Sequence, residues 1–229
     1  ATVADAQRAA AAAQRAFRSG PWPRIRAVER AKALRALATR IREQATSLAT
    51  LEARNAGKPI ADAEWEIEAA AQCFEFFAGA ATTLSGRVPP VDGSGLSVVL
   101  RQPIGPCALI VPWNFPFLIA AWKVAPALAA GNTVVLKPAS ATPCSALRLG
   151  ALASAAGIPG GVLNVIAGPG ASVGAALVSD PAIRKISFTG DSENGAAILR
   201  LAAPEIKRVS LELGGKSANV VFADADLDA

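Results

Sequence analysis

The chain has 229 residues, of which 52% are hydrophobic and 18% charged, and its formal net charge is +5. This composition provides enough apolar surface for one large domain or two small ones, and it is not that of a disordered protein. The charge is spread along the chain without a basic patch that contains aromatics, so we expect no nucleic-acid partner. The absence of histidine excludes a Ser-His-Asp triad and a His-ligated metal, and the absence of tyrosine excludes a tyrosine acid–base.

The cysteines and the apolar stretches restrict the class of protein further. Cys73, Cys107 and Cys144 are odd in number and widely spaced, which is typical of reduced thiols in a cytoplasmic protein. They form no CxxC pair, so we expect no metal site. The most apolar stretch, residues 107–124, contains Asn114 and prolines, so no membrane association is expected. The first residue is not Met, and we expect an excerpt of a longer polypeptide.

The first third of the chain predicts helices. Residues 4–18 are rich in Ala and Arg, which favours a first helix. Apolar residues recur at helical spacing over 24–55, which predicts one long second helix. A third helix is predicted for 61–84. We therefore assign 1–86 to an N-terminal helical segment that packs on the domain that follows.

Short apolar runs alternate with helical runs in the rest of the chain. This alternation predicts an α/β fold with a parallel sheet and helices on both faces, a Rossmann-like domain over 87–229. The predicted strands are 96–100, 107–111, 133–137, 162–166, 185–188, 209–213 and 218–222. The predicted helices are 115–130, 143–156, 171–178 and 192–202.

Candidate site residues lie at the strand ends, because ligands of such sheets bind beyond the carboxyl ends of the strands. Asn114 follows strand 107–111 and lies between prolines that restrict the backbone. A rigid amide donor in this position suits the stabilisation of an oxyanion. The alternative is that Asn114 caps helix 115–130.

Two further strands end in residues that suit a nucleotide. Lys137 ends strand 133–137 and could reach a ribose hydroxyl or a phosphate, the alternative being a solvated lysine. Thr142 is the expected cap of the next helix. The sequence AGPGASVG, which includes Gly168, follows strand 162–166 and resembles a dinucleotide-binding loop, although a tight turn is the alternative.

The segment Thr189-Gly190-Asp191-Ser192 is a glycine turn that leads into a helix. The N-terminus of a helix is a natural phosphate site. The charge of Asp191 would repel a diphosphate there, however, and the alternative is that Asp191 is an ordinary N-cap.

Glu212 lies near the end of apolar strand 209–213 and is followed by a pair of glycines. Burial would raise the pKa of this carboxyl group and would suit it to act as a general base near neutral pH. The alternative is an ion pair with Lys216 or Arg208.

The order and spacing of these segments resemble the aldehyde dehydrogenase superfamily over almost the whole chain. The segments are PWNFP, AWKVAPALAAGNTVVLKPAS, GIPGGVLNVIAGPG, KISFTG and LELGGKS. The form WKVAPALAAG is most similar to betaine-aldehyde- and aminoaldehyde-type members. The resemblance implies a Rossmann-like cofactor domain, an interwoven catalytic domain and a homodimer or homotetramer.

The resemblance also implies a reaction and a role for each residue. An aldehyde substrate is oxidised to a carboxylic acid with NAD or NADP, through a cysteine thiohemiacetal and a thioester that water hydrolyses. Asn114 would donate to the oxyanion, Glu212 would activate the water, and Lys123 would belong to a proton relay with Glu212. The cofactor-binding residues would be Ile110, Val111, Pro112, Trp113, Asn114, Lys137, Ser140, Gly168, Thr189, Gly190, Asp191, Ser192 and Leu213.

The chain departs from the family pattern at three points. Asp191 stands where members usually have Ser. Ser140 stands where many NAD-preferring members have Glu, so we expect NADP to be tolerated. The family's nucleophilic cysteine lies downstream of LELGGK, and no cysteine of the chain matches its motif. We therefore expect the N-terminal portion of an enzyme, truncated before the catalytic domain and inactive alone. The alternative is a non-catalytic dinucleotide-binding fragment or a structural protein.

Overall fold

The computed structural model describes residues 1–226, and its centre is one parallel sheet of five strands in the order β3-β2-β1-β4-β5. The strands are β1 (Pro106–Ile110), β2 (Thr133–Lys137), β3 (Leu163–Val165), β4 (Lys185–Thr189) and β5 (Arg208–Glu212). β1 and β2 are buried along their whole length, as expected for strands that helices cover on both faces. The strand order reverses between β1 and β4, which defines a crevice at their carboxyl ends.

Eight α-helices surround the sheet in the described residues. They are α1 (Val3–Arg18), α2 (Ala27–Glu43), α3 (Ala45–Ala56), α4 (Ile60–Ala80), α5 (Pro116–Ala129), α6 (Cys144–Ala155), α7 (Ala175–Ser179) and α8 (Ser192–Ala202). Helices α2 to α6 share one buried cluster with one face of the sheet, and α1, α7 and α8 share a second cluster with the other face. The predicted α/β fold with helices on both faces is therefore confirmed.

The alternation of side chains along the strands separates the two clusters. Leu109 and Leu136 belong to the cluster with α2 to α6, whereas Ala108 and Val135 belong to the cluster with α1, α7 and α8. Helix α1 contributes a face of small alanines, which allows its backbone to lie close to the sheet. The N-terminal helices thus complete the same core as the sheet, and the division of the chain at residue 86 stays a prediction.

A buried asparagine sets the register of the central strands. The Oδ1 atom of Asn132 accepts hydrogen bonds from the backbone N–H groups of Ile104 (2.7 Å) and Gly105 (3.1 Å). These bonds tie the start of β1 to the start of β2, where Pro106 pairs with Thr133. The carboxyl ends of the two strands are therefore level with each other.

Two predicted helices differ from the structure. The predicted helix 24–55 is interrupted at Gln44, whose ψ of 16° ends α2 before α3 begins. Apolar residues continue across this one-residue break, so periodicity could not reveal it. The predicted helix 171–178 is a π-helical turn, Gly170–Gly174, that continues into α7.

The predicted strands 96–100 and 218–222 are wrong for the described residues. Val99 forms only an isolated antiparallel bridge with Arg87, and residues 218–222 pair with no strand. Val220 and Phe222 are exposed. Both segments have the composition of strands, but a strand also requires a partner.

No helix within residues 1–226 combines the length and the hydrophobicity needed to cross a membrane.

We predict that Asn132→Ala lowers the free energy of unfolding by about 1–3 kcal/mol, because it leaves two backbone N–H groups without an acceptor. Urea denaturation of the wild type and the variant measures this change, provided that the two proteins have the same m value. Asn219→Ala, at an exposed position outside the sheet, is the control. A loss for Asn132→Ala no larger than that of the control would contradict the assigned role.

Candidate functional site

The carboxyl ends of the strands border a cleft of about 840 Å³. Its lining includes twelve of the residues predicted from the sequence, namely Ile110, Val111, Pro112, Trp113, Asn114, Lys137, Ser140, Thr189, Gly190, Asp191, Glu212 and Leu213. The predicted residues Gly168, Ser192 and Lys123 do not line this cleft. The lining residues Asn194, Ala197 and Ile198 were not found from the sequence, because neither strand ends nor motifs mark them.

Lys137 is the buried cation of the cleft. Only 4% of its surface is exposed, so the alternative of a solvated lysine is wrong. Its Nζ atom donates to the carbonyl of Pro138 at 3.2 Å, and burial lowers the pKa of the amino group. A Cβ atom at Gly174 would lie 3.5 Å from Cε of Lys137. The glycine-rich segment therefore packs against the lysine stem and contributes to the wall of the cleft.

Ser140 and Gly168 are joined at the same end of the cleft. The Ser140 hydroxyl donates to the carbonyl of Gly168 at 2.9 Å. Gly168 has no room for a side chain, since a Cβ atom would lie 2.7 Å from Cγ2 of Val173. Gly168 thus supports the loop from behind and positions Ser140.

Asp191 caps helix α8, as one of the two alternatives predicted. Its Oδ1 atom accepts from the N–H of Asn194 at 2.8 Å, and its Oδ2 atom accepts from Nδ2 of Asn194 at 2.7 Å. These hydrogen bonds, first of all the one from the backbone, hold the pKa of Asp191 below its usual value. A negative charge therefore lies at the helix N-terminus that borders the cleft.

Asn114 does not cap helix α5. The N-cap residue of α5 is Phe115, and the first-turn N–H groups of Phe117 and Leu118 donate instead to Oε1 of Glu66, at 3.1 and 3.0 Å. Asn114 is exposed, and its carboxamide has no hydrogen-bond partner anywhere in residues 1–226. Its amide is therefore available to a ligand in the cleft.

The expected cap of helix α6 is also wrong. The N-cap residue is Pro143, and the Thr142 hydroxyl is buried without a partner among the described residues. The N–H of Cys144 donates to Oδ1 of Asn55 at 3.0 Å. In both α5 and α6, a distant helix supplies the acceptor that local sequence was expected to supply.

A second cavity of about 550 Å³ lies on the α5 side of the sheet, and Lys123 lines it. The Nζ atom of Lys123 donates to the Ser187 hydroxyl at 2.8 Å. Burial lowers the pKa of Lys123 to about 8, the charge of Glu212 opposes this shift, and Lys185 adds to it. Sequence reasoning missed Ser187, since a serine inside an apolar strand carries no motif signal.

Glu212 lies between the two cavities. It pairs in register with Thr189, and both residues line the cleft and the second cavity. The expected burial is wrong, because β5 is an edge strand and Glu212 is exposed in the described chain. The alternative is wrong as well, since Glu212 forms no ion pair with Lys216 or Arg208 in residues 1–226. Its carboxylate can therefore act toward either cavity.

The three cysteines are free thiols outside the cleft. Burial raises the pKa of Cys73 to about 11 and that of Cys107 to about 12. Thiols with such pKa values are protonated at neutral pH and are poor nucleophiles. Residues 1–226 contain no group of three or more Cys, Asp or Glu side chains that could hold a metal ion.

Comparison with known proteins relates the whole chain to one family. The model of the aldehyde dehydrogenase family matches residues 1–229. The chain is 47% identical over 228 residues to human (Homo sapiens) retinal dehydrogenase 2, covering 98% of this chain and 44% of that protein. It is 43% identical over 226 residues to betaine aldehyde dehydrogenase of Bacillus subtilis (strain 168), covering 98% and 46%.

A solved structure with a bound dinucleotide is similar as well. The crystal structure of PnpE in complex with nicotinamide adenine dinucleotide superimposes with a TM-score of 0.93 at 46% identity, covering 98% of this chain and 46% of that one. The chain thus spans less than half the length of these relatives.

We predict that the amino group of Lys123 titrates near pH 8, because burial disfavours its charged form. Competitive acetylation over a pH series, read by mass spectrometry, measures the midpoint. The exposed Lys32 is the reference. Because the folded-state pKa lies below that of an ordinary lysine, this group should make the protein more stable as the pH rises through 8 toward about 10.4. A Lys123 midpoint equal to that of Lys32 would contradict the prediction.

Proposed function

The chain belongs to the aldehyde dehydrogenase family, and we propose that the whole protein oxidises an aldehyde to a carboxylic acid with NAD or NADP. The observation that carries the proposal is the cleft at the β1/β4 crevice, which Asn114, Lys137 and Glu212 all line. An amide donor, a buried cation and an unpaired carboxylate are the groups that this reaction needs from this part of the protein.

The cleft suits a dinucleotide in volume and in chemistry. Its volume of about 840 Å³ lies within the range of cofactor sites. Within residues 1–226, the Lys137 amino group donates to a single carbonyl and can also donate to ribose hydroxyls, and a Cβ atom added to Gly170 would have no neighbour within 4 Å. When bound, the nicotinamide would accept a hydride from the substrate.

The end of the cleft at α8 suits the diphosphate less well. The Asp191 carboxylate occupies the helix N-terminus, where it would repel a bound diphosphate. We propose that a backbone N–H group of the turn after Gly190 makes the contact instead, since the N–H of Gly190 itself donates to the carbonyl of Glu212 at 3.1 Å. Gly190 can form this turn because it has no side chain, since a Cβ atom would lie 2.4 Å from the Phe188 ring.

Three residues would carry the chemistry of the substrate. The carboxamide of Asn114 would donate to the oxygen of the aldehyde as negative charge develops on it. Glu212 would remove a proton from the water that hydrolyses the thioester, and Lys123, in the adjoining cavity, would take part in moving that proton. Cys73 and Cys107 do not suit the nucleophile because their thiols stay protonated.

The finer assignments remain proposals. We propose a betaine-aldehyde- or aminoaldehyde-type substrate, which the segment WKVAPALAAG and the similarity to the Bacillus subtilis protein support. The similarity to a retinal dehydrogenase supports an apolar aldehyde instead, and rates with betaine aldehyde and with retinal decide between them. We further propose a cytoplasmic homodimer or homotetramer, the compartment being supported by the three free cysteines.

A non-catalytic dinucleotide-binding protein is the second candidate. One observation favours it, namely that none of the three cysteines lines the cleft. NAD binding without NADH formation from any aldehyde would support this candidate and contradict the enzyme.

We predict that Glu212→Gln lowers the steady-state rate at least about 100-fold, because the water loses its general base. If Glu212 acts only after acyl transfer, a burst of one NADH per site remains, and stopped-flow absorbance detects it. Glu205→Gln, at an exposed position, is the control. Steady turnover by Glu212→Gln at the wild-type rate would contradict the assigned role.

We predict that the wild-type protein has similar KM values for NAD and NADP, since Ser140 presents no charge to a 2′-phosphate. Ser140→Glu should raise the preference for NAD at least about tenfold, because a carboxylate binds the ribose diol and repels that phosphate. Ser94→Glu, at an exposed position that does not line the cleft, is the control. A preference of the wild-type protein for NAD of about 100-fold would contradict the role of Ser140.

A further inference from the structure

A buried ion pair joins Lys58 to Glu66 next to the segment that carries Asn114. Glu66 of α4 is fully buried, and the side chain of Lys58 is 12% exposed. The Nζ atom of Lys58 contacts Oε2 of Glu66 directly. Neither residue lines the cleft or the second cavity. Any effect of the pair on a ligand in the cleft therefore passes through other residues.

Glu66 holds the first turn of helix α5. Its Oε1 atom accepts from the N–H groups of Phe117 at 3.1 Å and Leu118 at 3.0 Å. Helix α5 has no side-chain cap from its own N-cap residue, so Glu66 satisfies two N–H groups that have no other acceptor in the described part of the chain. Its negative charge also complements the positive end of the helix dipole.

Lys58 holds the backbone just before that turn. Its Nζ atom donates to the carbonyl of Asn114 at 2.8 Å and lies 4.5 Å from the centroid of the Phe115 ring. Pro112 and Pro116 restrict φ on either side of Asn114. The ion pair thus fixes a short segment on both sides of Phe115.

The orientation of the Asn114 side chain depends on this backbone, because its carboxamide has no hydrogen-bond partner within residues 1–226. We propose that Lys58 and Glu66 are positioning residues for Asn114, holding its carbonyl and the start of α5 so that its amide enters the cleft in one direction. This inference rests on the proposed function of Asn114 as the oxyanion donor.

The burial of the pair supports a positioning role over a purely stabilising one. Removing two charges from water is costly, and well-packed apolar residues are often as stable as a buried ion pair. The pair instead fixes the orientation of the backbone around Phe115. The Glu66 carboxylate accepts from two N–H groups of α5, and the Lys58 amino group donates to one carbonyl. Catalysis is sensitive to the orientation of a catalytic group, since displacing such a group by about 1 Å can lower a rate about 100-fold.

Steady-state kinetics of the whole protein test the inference, with Lys58→Met and Glu66→Gln each introduced alone and combined with Asn114→Ala. Each single variant should lower kcat about 10- to 100-fold and change the KM for NAD less than about twofold. Lys58→Arg should recover most of the rate, because it keeps the charge and the donor groups. In the Asn114→Ala background, neither substitution should lower kcat further.

Glu68→Gln is the matched control, because it makes the same substitution in the same helix and also removes an ion pair, with Arg42. Its kcat should equal that of the wild type. If Lys58→Met or Glu66→Gln lowers kcat equally with and without Asn114, the role is merely structural and the inference is overturned.

Amide hydrogen exchange separates a failure of the inference from a failure of the proposed function. In Glu66→Leu, whose side chain has no acceptor, the N–H groups of Phe117 and Leu118 should exchange at least about tenfold faster, while that of Leu128 at the far end of α5 keeps its rate. Unchanged exchange at Phe117 and Leu118 would overturn the inference even in an active enzyme. A wild-type protein that oxidises no aldehyde would contradict the proposed function, and the exchange rates would still decide whether Glu66 holds α5.

Discussion

The site depends on one constraint, that all five strands run in the same direction. Their carboxyl ends therefore meet at one edge of the sheet, and residues more than 100 positions apart in the sequence border one cleft. The register that Asn132 imposes keeps the ends of β1 and β2 level, which brings Asn114 and Lys137 to the same cleft. Without this common direction, the same side chains would be divided between two opposite edges.

The charged groups that line the cleft differ from those that line the second cavity. The cleft contains a buried cation, Lys137, and a capping carboxylate, Asp191, whose pKa is held low. The second cavity contains Lys123, whose pKa is lowered to about 8. Glu212 borders both, so a carboxylate and an amine whose pKa is lowered toward neutrality lie next to the proposed cofactor cleft.

Local sequence patterns predicted the features that depend on local chemistry. The apolar runs of β1 and β2, the position of Lys137 and the capping role of Asp191 all follow from a few adjacent residues. Features that depend on distant partners were missed. Residues 218–222 have the composition of a strand but no strand beside them, and α5 is capped by Glu66, which lies 51 positions before Phe117. Neither pairing can be inferred from a run of neighbouring residues.

The central claim is that the cleft at the β1/β4 crevice holds a nicotinamide dinucleotide, and a crystal structure of the protein grown with NAD tests it most directly. The account predicts electron density along the carboxyl edge of the sheet, with the adenosine ribose beside Lys137 and Ser140 and the nicotinamide beside Glu212. Density for the dinucleotide at another surface, or none in the cleft at saturating NAD, would contradict it.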